Sequence, residues 1–504
     1  MKILLLNPLT TRPITARRER YFVRAGSRWP ASYTKAPQAS GRYIPFPFYL
    51  AYAAALLRNE GAPLSVDVID CVAANIHTDR LLGDMAHRRP DLIVYETTTP
   101  TIKDDLRLAA ALKQAAGATI VLAGPHVSAY PVETLEDHPA IDYLLLYEYE
   151  VALCDLVRFL LRGGSLERLS GLAYRAGGSV TVQDAYRPID PLDRLPFPAR
   201  DLFPTPQRPD MYVYWDGFCQ YRPAVQMHSS RGCPFRCDFC LWTQVMYRDG
   251  PYRMFSPARV VDEMEEAVGR YGAREIYFDD DDFTINKRHV LGICKEILGR
   301  GLRIPWSCMG DAIVPDEHMI DAMADAGCRG MKFGVESASP RILERLGKPV
   351  DLDHVRDVAR WCTRRRIKTH ATITFGLWDE TRESMELSLS FVKALDVDSV
   401  QFSIASPFPG TRYFEEMKRS DRLRFREWED FDGSRSAVVD FPNLARGEIE
   451  RFCAQAASRW LFHKLGQPRW VARQFRYMAR LVQGQGVSAL AARARRAVEI
   501  VTKR

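Results

Sequence analysis

The sequence has no run of about 18 consecutive apolar residues, the length that a membrane-spanning helix requires. Its first residues also lack the pattern of a secretory signal peptide, because the short apolar run breaks at Asn7 and Pro8. Internal repeats and low-complexity segments are absent as well. We therefore expect a cytoplasmic protein. Its 504 residues, 46% of them hydrophobic, are enough for about three domains with substantial cores.

Disulfide bonds are not expected, although the chain has eleven cysteines. A long cytosolic chain rarely carries a disulfide framework. Most of the cysteines, such as Cys294, stand alone within apolar patterns and are interpreted as small core residues. Cys233, Cys237 and Cys240 are the exception, because they form one tight cluster. This cluster therefore needs a chemical explanation.

Excess positive charge is confined to the end of the chain. Residues 464–504 contain ten Lys or Arg and one Glu, a net charge of +9, so the formal net charge of +7 for the whole chain leaves −2 for the rest. A basic surface spread over the fold would suggest nucleic acid, and this distribution does not, so we expect no nucleic-acid partner. In the tail, Arg469, Arg473, Arg476 and Arg480 recur at helical spacing. Either a solvated helix packed on the core or a peripheral contact with an anionic membrane explains that stripe.

Short β-type runs alternate with helical patterns through residues 1–163. The runs are rich in Val, Ile and Leu and do not alternate with polar residues, which is typical of buried parallel strands. They occupy residues 2–6, 65–70, 91–96, 118–123 and 142–147. The alternation predicts an α/β fold with a doubly wound parallel sheet, and such sheets bind ligands at the carboxyl ends of their strands.

Residues 164–222 have a different composition. Paired glycines accompany two short runs, 172–175 and 179–183, that predict a hairpin, and a proline-rich stretch follows to residue 209. We interpret this segment as a connector between two domains.

A second alternation of strands and helices fills residues 223–420. Strands are predicted at 224–230, 275–279, 305–309, 330–336, 369–376 and 399–405. These β/α units predict a partial (β/α)6 barrel, whose chemistry is expected at the carboxyl ends of the strands. Residues 421–504 are predicted to form a helical, basic C-terminal region.

The clustered cysteines follow the first predicted barrel strand with the spacing Cys-x3-Cys-x2-Cys. Three thiolates can hold three irons of a [4Fe–4S] cubane, which leaves the fourth iron open for another ligand. A structural zinc site would need a fourth ligand, which His228 could supply. Unrelated core cysteines would rarely fall at this spacing. The position after a barrel strand favours the iron–sulfur cluster.

With Phe239 before its last cysteine, this motif resembles that of the radical S-adenosylmethionine (SAM) superfamily. The resemblance implies that SAM binds the open iron through its amino and carboxylate groups. The reduced cluster would then cleave SAM to methionine and a 5′-deoxyadenosyl radical that abstracts hydrogen from an unactivated C–H bond, while the protein positions these parts. A non-catalytic iron–sulfur regulatory protein is the alternative of another class, since a regulator needs the cysteines but no SAM cleft.

Further segments at predicted strand ends resemble the SAM cleft of this superfamily. Residues 278–284 include four aspartates, whose carboxylates suit the SAM amino group, although four aspartates could instead form a solvated turn. Residues 333–337 resemble the segment that contacts the ribose, and residues 376–381 resemble a loop near the adenine. The resemblance assigns these residues to SAM: Phe239, Asp280, Asp281, Glu336, Ser337, Gly376 and Leu377.

Two departures from the family pattern lie near this cleft. Gly310 and Asp311 stand where the family usually carries an arginine after the third strand. Trp378 and Asp379 replace the Pro-Gly of the adenine loop. Both departures leave the cluster ligands intact but argue against a close analogy in substrate. The resemblance assigns no residue a catalytic role.

Residues 1–163 resemble the cobalamin-binding domain of one subgroup, which includes class B methylases and oxidative cyclases. The resemblance rests on Asn7, Pro8 and the segments 68–70, 123–128 and 142–150. It assigns these residues to cobalamin: Thr97, Thr98, Thr99, Gly124, Pro125, His126 and Glu148.

This N-terminal segment also departs from its family. Where the family often has Gly-Gly before x-His, this chain has Ala123, Gly124 and Pro125, and Tyr147 and Tyr149 replace the glycines of a Gly-Glu-Gly-Glu motif. A scaffold domain that has lost its ligand is therefore the alternative to a cobalamin site. The one Asp-x-His sequence ends at His318 and lacks the glycine of the loop that supplies a lower axial histidine, so we expect no such ligand.

The activity that the resemblance implies first is cobalamin-dependent methylation of an unactivated carbon in a lipid or a secondary metabolite. Oxidative cyclisation or ring rearrangement is the alternative within the subgroup. Residues 240–244 and 279–287 resemble a hopanoid-associated branch. The expected cofactors are a [4Fe–4S] cluster, SAM and cobalamin. The expected partners are a small-molecule or lipid substrate and an electron donor such as flavodoxin or ferredoxin.

Overall fold

The computed structural model describes residues 1–15, 18–24, 31–34, 43–61, 63–204 and 213–485. These residues form two largely parallel β-sheets with helices, followed by a helical C-terminal region. The predicted α/β class and its two-part architecture are confirmed.

The N-terminal part contains the strands β1 (Lys2–Asn7), β2 (Thr11–Thr15), β3 (Arg18–Phe22), β4 (Ser32–Thr34), β5 (Ser65–Asp70), β6 (Leu92–Glu96), β7 (Thr119–Ala123), β8 (Tyr143–Leu145), β9 (Leu172–Ala176) and β10 (Ser179–Gln183). Its helices are α1 (Phe48–Arg58), α2 (Cys71–Ala74), α3 (Thr78–Arg88), α4 (Ile102–Ala116), α5 (Pro125–Ala129), α6 (Pro131–Asp137) and α7 (Glu150–Arg162).

The first sheet has the strand order β10-β9-β8-β7-β6-β1-β5. The strands from β5 to β8 are parallel, and β1 lies between β5 and β6, which is the order of a doubly wound sheet. Helix α1 packs against α7, and α3 packs against α4. The strand order reverses at the carboxyl ends of β1 and β6, the place where sheets of this kind bind ligands.

Two features of this part differ from the sequence expectation. The hairpin β9–β10 belongs to the first sheet, because β9 pairs antiparallel with β8, and it is not a separate connector. Strands β2, β3 and β4 form a small antiparallel sheet that the sequence did not predict. Their segments carry Pro13 and charged residues instead of apolar runs, so they lack the pattern on which strand prediction depends.

The second part contains the strands β11 (Ala224–Met227), β12 (Ser230–Arg231), β13 (Arg253–Met254), β14 (Glu275–Phe278), β15 (Trp306–Gly310), β16 (Cys328–Glu336), β17 (Lys368–Phe375) and β18 (Ser399–Ile404). Its helices are α8 (Pro257–Tyr271), α9 (Lys287–Gly299), α10 (Glu317–Asp325), α11 (Pro340–Leu346), α12 (Leu352–Arg364), α13 (Arg382–Ala394) and α14 (Arg412–Arg419).

The second sheet runs in chain order, β11-β14-β15-β16-β17-β18, and all its neighbours are parallel. Five of the six predicted strands match to within two residues. The first is shorter than predicted, because the chain leaves the sheet at Met227 and continues into β12, which pairs with β13. Ser256 caps α8, since its hydroxyl accepts from the backbone N–H of Arg259 at 3.3 Å.

Side chains on this sheet alternate between two environments. On β16, Met331, Phe333 and Val335 are fully buried, whereas Lys332 lies on the opposite, inner face of the curved sheet with Glu336. The inner face therefore carries polar groups, and the apolar groups face the surrounding helices.

The C-terminal region contains α15 (Arg446–Leu465) and α16 (Pro468–Gln485). Both helices pack on the barrel, because the indole N–H of Trp460 donates to Val392 O and that of Trp470 donates to Val397 O, each at 3.1 Å. Arg473 faces inward and pairs with Asp396, so it is not part of an exposed basic stripe. Among the described helices, none combines the length and the apolar character that a membrane crossing requires.

The carboxyl ends of the two sheets meet. A Cβ placed on Gly410, after β18, would lie 3.2 Å from that of Ala129 in α5. Residues after α14 return to the first part of the chain, where Glu429 pairs with Arg20 at 2.7 Å and the ring of Trp428 lies 5.2 Å from that of His126. The loops at the two carboxyl edges therefore pack against each other.

Candidate active site

The three clustered cysteines lie on the loop between β12 and a π-helical turn, Trp242–Met246. Burial raises the pKa of the Cys237 thiol to about 12 and raises the pKa values of Cys233 and Cys240 as well. Thiols in such surroundings stay protonated until a metal ion binds the sulfur and displaces the proton. A cavity of about 370 Å³ adjoins the loop, and Cys233 is part of its lining. The donor set and the cavity fit an iron–sulfur cluster.

Gln244 holds the cysteine loop in shape. Its amide Nε2 donates to the carbonyl oxygens of Cys237, Asp238 and Cys240 at 3.0, 2.9 and 3.1 Å. Its Oε1 accepts from the backbone N–H of Arg412, at the start of α14, at 2.8 Å. One buried amide thus ties the loop to the end of the barrel.

The Arg412 side chain completes this attachment. Its guanidinium donates to Asp238 at 2.8 Å, to Asp249 at 3.1 Å and to the carbonyl of Arg236 at 2.8 Å. These contacts hold the outer side of the cysteine loop, opposite Gln244. Neither Gln244 nor Arg412 was identified from the sequence, because their role arises from contacts between distant elements.

The aspartates after β14 lie directly below the cysteine loop. Asp280 is fully buried, and its Oδ1 accepts from the backbone N–H of Ser229 and from the hydroxyl of Ser230. Asp281 accepts from the backbone N–H of Gly232 at 2.9 Å. Both predicted SAM contacts therefore brace the segment that leads into Cys233. That they also contact SAM stays a prediction.

Lys348 enters the cleft from the loop after α11 and was not identified from the sequence. Its ammonium donates to Gly334 O at 2.9 Å and lies 3.3 Å from a carboxylate oxygen of Glu336. Burial lowers its pKa, but the negative charges of Glu336, Asp311 and other groups together hold that pKa above its usual value. Lys348 is also within electrostatic reach of Cys237. A fixed positive charge thus stands beside the cysteine loop.

Asp311 and Asp282 add negative charge to this cleft. The Oδ2 atom of Asp311 is buried and has no hydrogen-bond partner in the described part of the chain. Burial and the neighbouring Asp311 raise the pKa of Asp282 well above its usual value. Gly310 is needed here, because a Cβ would lie 2.3 Å from the hydroxyl of Thr284. The departure from the family at Gly310 therefore has a local packing reason.

The loops after β16 and β17 form the next part of the cleft. Thr374 donates to Glu336 at 2.9 Å, while the Ser337 hydroxyl lies against that of Ser388 at 3.3 Å. The amide of Gly376 donates to Glu380 at 3.0 Å, and Leu377 is fully buried. The structure thus brings Glu336, Gly376 and Leu377 to one edge, with the Ser337 hydroxyl turned into the packing below.

The Trp378-Asp379 departure preserves the turn. Asp379 has a φ of +52°, the left-handed backbone that a glycine would adopt. The Trp378 indole is buried between Tyr413 and the guanidinium of Arg345, which lies 4.4 Å from its ring centroid. Its Nε1 has no partner within the described residues. An unpaired buried N–H at the cleft edge is a site for a ligand acceptor.

A second candidate site lies at the carboxyl ends of β6 and β7. Gly124 has a φ of +101°, and a Cβ there would lie 2.5 Å from Thr97 O, so only glycine allows this close approach. His126 lies 3.2 Å from the Thr99 hydroxyl, and burial lowers its pKa to about 3. The Thr98 hydroxyl is buried and has no partner within the described ranges. We call the close approach of Gly124 to the backbone of Thr97 the cradle. The cradle and the unpaired Thr98 hydroxyl fit a polar cofactor tail.

Glu148 lies away from this cradle. Its two carboxylate oxygens bind Arg231 at 2.9 Å and Arg253 at 2.7 Å, which are barrel residues. Tyr147 next to it has a φ of +64°, so the loop keeps the backbone of a glycine-containing motif. A cobalamin contact of Glu148 stays a prediction, and its observed contacts lie between the two parts of the chain.

Comparison with protein families gives two matches. Residues 37–157 match the B12 binding domain, and residues 227–392 match the radical SAM superfamily. These ranges cover strands β5 to β8 of the first sheet and β12 to β17 of the second part, with most of the residues of each candidate site described above.

Among curated proteins, the chain is 34% identical over 388 residues to the uncharacterized methyltransferase PH0819 of Pyrococcus horikoshii, covering 76% of this chain and 81% of that protein. It is 25% identical over 415 residues to the anaerobic magnesium-protoporphyrin IX monomethyl ester cyclase of Rubrivivax gelatinosus, covering 80% and 71%. It is 24% identical over 367 residues to the hopanoid C-3 methylase of Methylococcus capsulatus, covering 71% and 66%.

Two solved structures share the fold. The radical SAM methyltransferase TsrM of Kitasatospora setae, with cobalamin and a [4Fe–4S] cluster bound, is 19% identical and has a TM-score of 0.64, covering 90% of this chain and 84% of that one. The cobalamin-dependent radical enzyme OxsB, with aqua-cobalamin and SAM bound, is 15% identical and has a TM-score of 0.68, covering 97% and 72%. The predicted cofactor set is that of this family. The chain belongs to the radical SAM enzymes that carry a cobalamin-binding domain.

Proposed function

We propose that this enzyme methylates an unactivated carbon of a small polar molecule, with a [4Fe–4S] cluster at Cys233, Cys237 and Cys240. The proposal rests on one observation: the cysteine loop and the cradle at Gly124 belong to two carboxyl edges that face each other. When bound, the cluster with SAM supplies hydrogen-atom abstraction, and cobalamin supplies methyl transfer. An electron carrier such as flavodoxin or ferredoxin would reduce the cluster.

Lys348 is proposed to bind the SAM carboxylate. It is the cation beside Cys237, and a buried ammonium forms strong, charge-assisted hydrogen bonds. The unpaired carboxylate oxygen of Asp311 would accept from the SAM ammonium or from substrate. The Trp378 N–H would donate to the adenosyl group or to the substrate at the far edge. These roles give the unpaired atoms of Asp311 and Trp378 a partner.

The inner face of the barrel favours a polar substrate. The side chains that project from β16, β17 and β18 into the barrel are Lys332, Glu336, His370, Thr372, Thr374, Ser399, Gln401 and Ser403. Several of these groups already pair within the protein, as Lys332 does with Asp216 and Thr374 does with Glu336. An apolar skeleton such as a hopanoid would displace water from this polar face and offer it no hydrogen bonds, which is costly. A molecule with hydroxyl, amide or ionic groups would supply such bonds. We therefore favour a secondary metabolite over a lipid.

A peripheral membrane contact is a second candidate, favoured by exposed apolar side chains on the C-terminal helices. Phe462, Leu465 and Phe475 are each more than half exposed, and Arg469 and Arg476 are exposed nearby in sequence. Liposome flotation of the full-length protein with anionic vesicles tests it. If changing the three apolar residues to serine leaves flotation unaltered, the membrane contact is rejected.

The main proposal is tested by anaerobic reconstitution with iron, sulfide, SAM, a reductant and hydroxocobalamin. We expect 5′-deoxyadenosine from the wild type and none from Cys237→Ala. We also expect S-adenosylhomocysteine only when cobalamin is added. If well-reconstituted wild type matches Cys237→Ala, radical chemistry is refuted and the regulatory alternative gains support. Formation of 5′-deoxyadenosine without S-adenosylhomocysteine would instead favour cyclisation or rearrangement.

A further inference from the structure

Arg231 connects the two parts of the chain two residues before the first cluster cysteine. Its Nη1 donates to Glu148 at 2.9 Å and its Nη2 donates to Glu150 at 2.7 Å. Glu148 and Glu150 lie after β8, at the carboxyl edge of the first sheet. One guanidinium therefore joins the cluster loop to two carboxylates of the cobalamin-binding part.

The group is electrically balanced. Arg253, which pairs with Arg231 across β12 and β13, donates to the second oxygen of Glu148 at 2.7 Å. Two positive charges thus face two negative ones. Each of the four residues is less than 5% exposed except Glu148, which is 6% exposed. Buried ion pairs of this kind add little net stability, and their best-supported use is to fix geometry.

Aromatic rings hold the guanidinium in place. Its carbon lies 4.9 Å from the ring centroid of Tyr49 and 5.0 Å from that of Tyr52, both on α1. Tyr49 also stacks on Trp242, which follows the last cluster cysteine, with ring centroids 5.7 Å apart. The first and last cysteines of the loop are therefore both attached to the N-terminal part.

The contacts continue to the cradle of the second candidate site. Tyr149, between the two glutamates, donates from its hydroxyl to Glu96 at 2.7 Å. Glu96 directly precedes Thr97, whose carbonyl defines the cradle at Gly124. Few side chains thus separate Cys233 from the cobalamin edge, and each is buried and makes at least one hydrogen bond.

We propose that Arg231 is a positioning residue that fixes the distance between the cluster loop and the cobalamin-binding edge. The proposal rests on the proposed function, because it assigns a cofactor to each side of the contact. Arginine is required, since its planar fork reaches two carboxylates at once, whereas lysine is a single point charge that can satisfy one of them.

Two variants and one control test the proposal. Arg231→Lys keeps the positive charge but loses the planar guanidinium group that reaches both carboxylates. Arg231→Met with Glu150→Gln leaves a balanced pair, Glu148 with Arg253, in case an unbalanced variant fails to fold. The control is Arg473→Lys, because Arg473 also bridges two carboxylates, Asp396 and Asp398, at a site remote from the cysteines.

The first measurement is hydrogen–deuterium exchange in the protein as purified, which needs no cofactor. In both variants, the exchange rate should rise at least about tenfold in peptides covering residues 228–241 and 146–152. A tenfold rise corresponds to about 1.4 kcal/mol less free energy of local opening. The control should raise exchange only around 396–398 and 470–477. If both Arg231 variants exchange like the wild type in the first two peptides, the positioning role is overturned.

The second measurement is electron paramagnetic resonance of protein with a reduced cluster and Co(II) cobalamin. The magnetic interaction between the two centres depends on their distance. We expect it to weaken or broaden in both Arg231 variants and to match the wild type in the control. If the wild type shows an interaction and that interaction is the same in all proteins, the proposal is overturned. If the wild type shows no interaction at all while the exchange results hold, the proposed function fails and the positioning contact stands.

Discussion

Replacement of Gln244 by leucine should make the iron–sulfur cluster labile without unfolding the protein. Gln244 is buried, and its amide is shared among three carbonyl groups of the cysteine loop and the backbone N–H of Arg412. Leucine has a similar volume but neither donor nor acceptor. The loop would keep its thiols and lose the contacts that hold their backbone.

The size of the effect follows from the hydrogen bonds. The two amide hydrogens and the accepted N–H amount to three bonds, each worth about 1 kcal/mol net, so opening of the loop becomes easier by about 3 kcal/mol. Since 1.4 kcal/mol is a factor of ten, the open population rises about 100-fold. Gln244→Glu should have a larger effect, because a carboxylate oxygen would face the carbonyls that the amide N–H groups now satisfy.

The assay is loss of the cluster absorbance after addition of a strong iron chelator under anaerobic conditions. When opening is fast and reversible, the loss rate follows the open population, so we expect about 100-fold faster loss than in the wild type. Gln474→Leu is the matched control, because Gln474 is half-buried and bonded to Asp398 far from the cysteines. A rate for Gln244→Leu within about threefold of the control would refute the reasoning, since even one lost bond of about 1 kcal/mol exceeds that ratio.

Three further substitutions probe the rest of the site. Gly124→Ala should abolish the retention of cobalamin on gel filtration and destabilise the protein. The backbone conformation at Gly124 costs other residues about 1–3 kcal/mol, and the added Cβ would collide with Thr97. The control is Gly83→Ala, whose Cβ meets nothing within 4 Å, so its free energy of unfolding should equal that of the wild type or exceed it by up to about 1 kcal/mol. Burial raises the pKa of Glu96 from 4.5 to about 7, so its favourable protonated form is lost as the pH rises through 7. Glu96→Gln should therefore be the more stable to urea at pH 8, by up to about 3 kcal/mol, and the difference should shrink as the pH falls and vanish below about pH 4. Lys348→Met should weaken SAM binding about 10- to 100-fold in calorimetry, the loss of about 1.5–3 kcal/mol for a charged hydrogen bond, with an unchanged iron content.

The elements with a strong local pattern were predictable. The strands of both sheets are apolar runs bounded by turn residues, so their positions came within a few residues of the observed ones. The three cysteines were predictable for a chemical reason, because their spacing suits one kind of cofactor. Both signals lie within a few consecutive residues, which is the range over which a single sequence is informative.

The residues that complete the site have no such local signal. Gln244 lies in an apolar stretch and Lys348 in a short Gly-Lys-Pro loop, and neither neighbourhood differs from ordinary surface or core sequence. Their roles depend on Arg412 and Glu336, which are distant in sequence and are brought near by the barrel. An unpaired buried charge is visible only when the fold is known. The small sheet β2–β4 was missed for the related reason that its pairing, not its composition, stabilises it.

The tyrosines at 147 and 149 show how a departure from a family can be misjudged from sequence alone. In place of glycines they suggested a domain that has lost its ligand, but the Tyr147 hydroxyl donates to Asp184 and its ring packs on Tyr186. Tyr149 donates to Glu96 and lies against Tyr49. Both side chains therefore fill space between the two parts of the chain, while the backbone at Tyr147 keeps the left-handed conformation of a glycine. The glutamates beside these tyrosines, Glu148 and Glu150, are the ones that bind Arg231, so the loop that departs from the family motif is also the loop that contacts the cysteine segment.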